Sequence, residues 1–150
     1  MKAHIGADEF SGLVHHVRCT AANVADLTVT HTLLHSKEAS VFGDSGYTGA
    51  DKREEPQDCE AAFCIAAKRS TLQAIGKNAS VLDKRWEHFK ASVRAKAEHP
   101  FPVIKRQFGY TKVRYRGLVK NTAQALTLFA LSNQWMKRKQ LLPAMGSVRL

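Results

Sequence analysis

A chain of 150 residues, 44% of them hydrophobic, can build one domain around a single core and is too short for two. No apolar run approaches the roughly 18 to 20 residues that span a bilayer, and the first residues carry no signal-peptide pattern, so a soluble, intracellular protein is expected. The net charge of +10 is unevenly placed: through Ala67 there are 5 Lys or Arg against 10 Asp or Glu, and from Lys68 onward 18 against 3, which directs the second half at a polyanion.

In chain order, Ala3 to Ala7 and Leu13 to Cys19 read as two strands. The turn between them, Asp8-Glu9-Phe10-Ser11-Gly12, has hairpin chemistry. Asn23-Val24-Ala25-Asp26 reads as an N-cap with an acid three residues on, opening a helix with Leu27, His31 and Leu34 on one side. Ser40 to Gly43 is a short buried strand that delivers Asp44 at its carboxyl end. Gly49 to Asp58 suits an exposed helix stopped by Pro56, Ala61 to Ala67 a further strand, and Lys68 to Ser80 a polar connection with breaks at Gly76 and Asn78.

From Asp83, read as a cap, Trp86, Phe89 and Val93 recur at helical spacing. Pro100 and Pro102 should end that helix near His99 or kink it, because an internal proline costs about 3 kcal/mol. A last helix over 121–137 would carry Leu126, Leu128, Phe129, Leu131 and Trp135, with Lys137-Arg138-Lys139 at its negative end and Pro143 closing it. Strands first and helices later make a mixed α/β domain, a sheet covered by helices. Cys19, Cys59 and Cys64 are odd in number and lack metal-binding spacing, and the seven histidines do not pair with them, so neither a disulfide framework nor a zinc site is expected.

Acids are scarce in the basic half, which singles out Glu98, with Arg94 four residues before it and Lys105 seven after. On one continuous helix the three would fall within about 40 degrees of each other. A surface ion pair between Arg94 and Glu98, worth under about 1 kcal/mol, accounts for the spacing without any chemistry. Asp44, before Gly46-Tyr47, equally suits the cap of a turn. Yet groups at the carboxyl ends of strands are where ligands collect, and an aspartate there with a helix glutamate is a donor set for divalent ions. The tract from Lys105 to Lys120 interleaves Lys105, Arg106, Lys112, Arg114, Arg116 and Lys120 with Phe108, Tyr110 and Tyr115, a pattern suited to phosphates and exposed bases.

The stretches GDSGYTG, RAKAEHPFPVIKRQFGY and KVRYRGLVKN, in this order, closely resemble the carboxyl-terminal part of bacterial insertion-sequence transposases of the DDE type, and MKAHIGADEFSGLVH resembles the preceding hairpin. The resemblance covers nearly the whole chain. It implies an RNase H-like mixed sheet flanked by helices, which cuts DNA at transposon ends and joins the freed 3′ ends to target DNA. Mg²⁺, or Mn²⁺, would be held by two aspartates and a glutamate. Asp44 matches the second aspartate and Glu98 the glutamate, while Arg94 and Lys105 match the basic pair near the reacting phosphate.

The first aspartate, due on a strand before the hairpin, has no counterpart among these residues, and Asp8 in the turn is a poor substitute. The resemblance therefore implies a partial domain over 1–150, incomplete at its N-terminus and impaired in catalysis. A rival is a non-catalytic remnant that binds double-stranded DNA and competes with or regulates a full-length relative. A basic ribosome-associated protein explains the charge but neither the acidic first half nor Asp44. The expected partners are DNA and a second chain, at an unpaired sheet edge, with a cytoplasmic, nucleoid-associated location.

Overall fold

The computed structural model describes residues 1–35, 38–49, 61–68 and 80–142. Strands β1 (Lys2–Ala7) and β2 (Val14–Thr20) form the expected antiparallel hairpin. Its turn closes through Asp8, whose Oδ1 accepts from the Ser11 backbone N–H at 2.7 Å and from Ser11 Oγ at 2.6 Å. Gly12 follows at φ 69°, a left-handed conformation that disfavours any residue with a Cβ. Strands β3 (Ser40–Gly43) and β4 (Ala62–Ile65) pair in parallel.

The expected single mixed sheet is divided. Among the described residues β1 pairs only with β2 and β3 only with β4, giving two separate two-stranded sheets. The stretches 50–60 and 69–79, where the exposed helix and most of the polar connection were expected, lie outside the described residues, as do Cys59 and Pro143.

The segment after Asn23 departs from expectation in kind and in face. Residues Asp26–Leu33 form a 3₁₀ helix rather than an α-helix, Ala25 precedes it with no side-chain cap, and Val29 and Leu33 are its buried residues. Alternating threonines explain the tighter winding: the hydroxyls of Thr28, Thr30 and Thr32 each donate to the carbonyl three residues back, at 2.7 to 3.0 Å.

Helix α1 (Val81–Glu98) begins one turn earlier than Asp83. Ser80 is the cap and Asp83 its reciprocal partner: Ser80 Oγ accepts from the Asp83 N–H, and Asp83 Oδ2 accepts from the Ser80 N–H at 3.0 Å. Prolines end α1 where expected. It stops at Glu98, and α2 (Pro100–Arg106) starts on Pro100, with Pro102 still in the first turn, where backbone N–H groups have no helical acceptor. Helix α3 (Leu118–Leu141) is longer than 121–137 and buries Asn121, Ala125, Phe129 and Ser132, whereas Leu126, Leu131 and Trp135 are exposed.

The core gathers Val14, Ile104 and Phe129, with Ile5, Val17 and Phe101 against them, so it lies between the hairpin, α2 and α3. Asn133 ties these layers together. Its Oδ1 accepts from the Val14 N–H at 2.9 Å and its Nδ2 donates to the Val14 carbonyl at 2.7 Å, as a neighbouring strand would. Cys19 is a free, buried thiol, and its pKa is raised by that burial.

Asn133→Ala should cost about 1 to 3 kcal/mol in urea denaturation, because it strands a backbone donor and acceptor at the hairpin. His4 adds a pH dependence. It is 5% exposed, its Nε2 lies 2.8 Å from Thr20 Oγ1, and burial holds its pKa below the usual 6.5 against the opposing pull of Asp26. The unfolded chain therefore binds the proton more readily, so stability should fall as pH drops below about 6.5, and His4→Gln should flatten that slope in thermal melts.

Candidate metal and DNA site

A groove of about 760 Å³ runs between the two sheets. β1 forms one wall, β3 the other, and Val93, Ala97 and Phe101 contribute from α1 and α2. Among the described residues six carboxylates line it, those of Asp8, Glu9, Asp26, Glu38, Asp44 and Glu98, with Arg94 as the one permanently charged cation. In a chain of net charge +10 this is a strongly acidic interior face, and a cleft lined by one sign of charge concentrates counter-ions.

Asp44 stands at the carboxyl end of β3, as expected, and also caps the turn that follows: its Oδ1 accepts from the Gly46 N–H at 2.8 Å. Gly43 allows this tight exit, because a Cβ there would sit 3.0 Å from Ile65 Cδ1 and 3.2 Å from Tyr47 Cβ. The near neighbour of Asp44 is a residue that sequence reasoning had used only as a helix-start acid. A Cβ on Gly46 would lie 3.0 Å from Asp44 Oδ1 and 4.0 Å from Asp26 Oδ2, so the two carboxylates share one corner of the groove. Burial pushes the Tyr47 hydroxyl up to about 12, with Asp26 and Asp44 adding to the effect, so it stays a neutral phenol. Lys2 Nζ bonds Asp26 Oδ1 at 3.2 Å and His4 Nδ1 lies 3.4 Å from the same oxygen.

Glu98 lines the same groove from the last residue of α1. It is paired with Arg94 at 3.1 Å, the i,i+4 bridge anticipated as the ordinary explanation, and with side chains 46% and 64% exposed the pair is worth under about 1 kcal/mol. Among the described residues no hydrogen bond or ion pair links Asp44 to Glu98. Nor do they join Asp26 in a cluster of three ligand atoms. Lys90 Nζ bonds the Ile65 carbonyl beside the Asp44 corner, and Lys96 Nζ bonds the Glu9 carbonyl in the hairpin turn, so α1 crosses from one end of the groove to the other. Two helical turns, about 12 Å, separate Lys90 from Glu98.

The single stripe of Arg94, Glu98 and Lys105 is broken by the helix boundary at His99. Arg94 and Glu98 face the groove, while Lys105 belongs to α2 and is exposed outside it. Arg106, Lys112, Arg114, Arg116 and Lys120 are all exposed too, so the basic tract is open to solvent along its length. Its aromatic residues divide. Phe108 and Tyr110 pack on the core, whereas Tyr115 is 51% exposed. Asn121 holds the tract's end in place, accepting from the Tyr115 N–H at 3.1 Å and donating to the Tyr115 and Gly117 carbonyls at 2.6 Å.

Among the described residues no helix is long and apolar enough to cross a membrane. No solved structure matches the chain. A family model described as the transposase DDE domain matches residues 1–134. With an acidic groove carrying Asp44 and Glu98, an exposed basic tract beside it, and this match over most of its length, the chain belongs to the transposase DDE domain family.

Proposed function

We propose that this chain supplies Asp44 and Glu98 to a metal-dependent centre that cleaves phosphodiesters at transposon ends and joins them to target DNA, within an RNase H-like domain. The observation that carries the reading is the groove's charge: among the described residues six carboxylates and one arginine line it, in a chain of net charge +10. Mg²⁺ or Mn²⁺ suits such a donor set, since hard cations take oxygen ligands and need only one or two carboxylates besides waters and substrate phosphates. When bound, such an ion would polarise the scissile phosphate and stabilise charge on the attacking and leaving oxygens.

The protein's own groups have separable tasks. Asp44 and Glu98 hold the cation, and Arg94 meets the phosphate in competition with its bridge to Glu98. Lys105, Arg106, Lys112, Arg114, Arg116 and Lys120 bind the duplex backbone. The two aspartate-and-glutamate positions are short of the family's three. Such a chain acts in the bacterial cytoplasm at the nucleoid.

The absence of convergence between Asp44 and Glu98 among the described residues favours a second reading, a DNA-binding remnant that regulates a full-length relative. Strand cleavage separates the two. With Mg²⁺ or Mn²⁺ and transposon-end duplex, Asp44→Asn and Glu98→Gln should each abolish nicking while leaving duplex affinity unchanged; wild-type protein that binds duplex but never nicks it would favour the remnant. Both readings require phosphate contacts by the basic tract. With six cations engaged, the slope of log K against log salt should be about −5 on duplex DNA, and a slope near zero would remove the tract from the interface.

A further inference from the structure

A separate cluster lies at the hairpin. Pairing of β1 with β2 slips between Gly6 and Ala7: Gly6 faces His16, Ala7 faces Val14, and His15 is the extra residue of a β-bulge. Adjacent residues on a regular strand point to opposite faces. The bulge instead brings the two imidazoles together, with Nδ1 to Nδ1 at 3.2 Å. Gly6 makes room for them, because a Cβ there would meet His15 Cε1 at 2.7 Å and the Leu33 carbonyl at 2.8 Å. The 3₁₀ segment then delivers His35, whose ring lies 4.6 Å from that of His15 and 4.3 Å from that of His16. One ligand atom from each of the three lies within 4.8 Å of the others.

We propose that His15, His16 and His35 form a binding site for a divalent transition-metal ion of the zinc class, separate from the Asp44 and Glu98 positions. The geometry suits this ion and not magnesium. Imidazole nitrogens favour zinc, cobalt, nickel and copper, whereas magnesium takes oxygen. Around a tetrahedral zinc with bonds of about 2.0 to 2.1 Å, neighbouring ligand atoms lie roughly 3.3 Å apart, close to the His15–His16 separation. In the metal-free protein that short contact is an N–H···N hydrogen bond between the rings. His15 and His35 are exposed and His16 half-buried, so their rings can turn the remaining distance.

Glu38 supplies the supporting carboxylate. Its Oε1 lies 3.3 Å from His35 Nδ1 and accepts from the His35 backbone N–H, an arrangement that fixes the ring and leaves Nε2 for the ion. Imidazole binds a metal in its neutral form, so binding here should weaken as pH falls. The fourth coordination position opens to water. The cluster touches the groove through His15 and His35, and it requires neither DNA nor a third catalytic acid.

The test is titration of the full chain with Zn²⁺ alone by calorimetry and with Co²⁺ alone by visible absorption. One equivalent should bind, with the weak visible bands of nitrogen and oxygen ligation, and three of the seven histidines should shift in NMR spectra of the wild-type chain. His16→Gln and His35→Gln should each weaken binding more than about tenfold with the circular dichroism unchanged, and Glu38→Gln by about 10- to 100-fold, the usual effect of removing a ligand's supporting partner. Asp44→Asn should leave zinc affinity unchanged. The absence of saturable binding, a thiolate-to-cobalt band in the near ultraviolet, or full affinity in both histidine variants would overturn the site.

Discussion

Helix α1 ties the two sheets together, and among the described residues no strand pairs across them. Lys90 reaches the last carbonyl of β4, Lys96 reaches the hairpin turn, and Val93 and Ala97 line the groove between. Lys90 is only 8% exposed, an unusual place for a lysine. Its ammonium is matched by Glu87 and by the Ile65 carbonyl, so the charge is paired where it is buried. Because α1 bridges the sheets, β1 and β3 face each other across the groove, each paired among the described residues on one side alone. Such edges pair readily with another strand.

The distribution of charge makes that opening chemically selective. Lysines and arginines lie exposed on α2 and along the tract leading into α3, where they can meet phosphates, while the carboxylates collect in the groove. At physiological ionic strength, exposed charges more than about 8 Å apart are largely screened from one another. Under the proposed function, basic surface and acidic groove would have separate tasks, one binding a polyanion and the other attracting a cation. This is an arrangement suited to metal-assisted chemistry on DNA.

Legibility in the sequence followed the range of the interactions involved. The hairpin and the break at Pro100 were readable because each is decided within a few residues, Asp8 with Ser11 and Gly12 and a ring lacking an N–H, whereas the α1 cap is Ser80 and Asp83, read as the cap, is its reciprocal partner. Helix faces were less readable, since they depend on what packs opposite. Trp86 and Phe89 stack on each other at 5.6 Å and against Phe42 but are nearly half exposed, while Lys90 turns inward. On α3, Asn121 and Ser132 are buried where Leu126 and Leu131 were expected, because their polar groups are satisfied locally: Asn121 bonds the tract and Ser132 Oγ donates to the Phe129 carbonyl. The convergence of His15, His16 and His35 had no local signal, for it depends on a bulge in β2 and on where the 3₁₀ segment ends.

Asp44 joins the structural and chemical halves of the molecule. The Gly46 N–H uses one of its oxygens to start the turn and so fixes the carboxylate at the mouth of β3. Asp26 shares that corner, and Tyr47, kept neutral beside them, cannot compensate their charge. Lys2 neutralises Asp26 in part, but its side chain is 40% exposed, so the contribution is small. In the proposed reading the Asp26 and Asp44 carboxylates at this corner are oxygen donors suited to a divalent cation. Capping the turn and, under the proposed function, holding the cation are two uses of the same side chain.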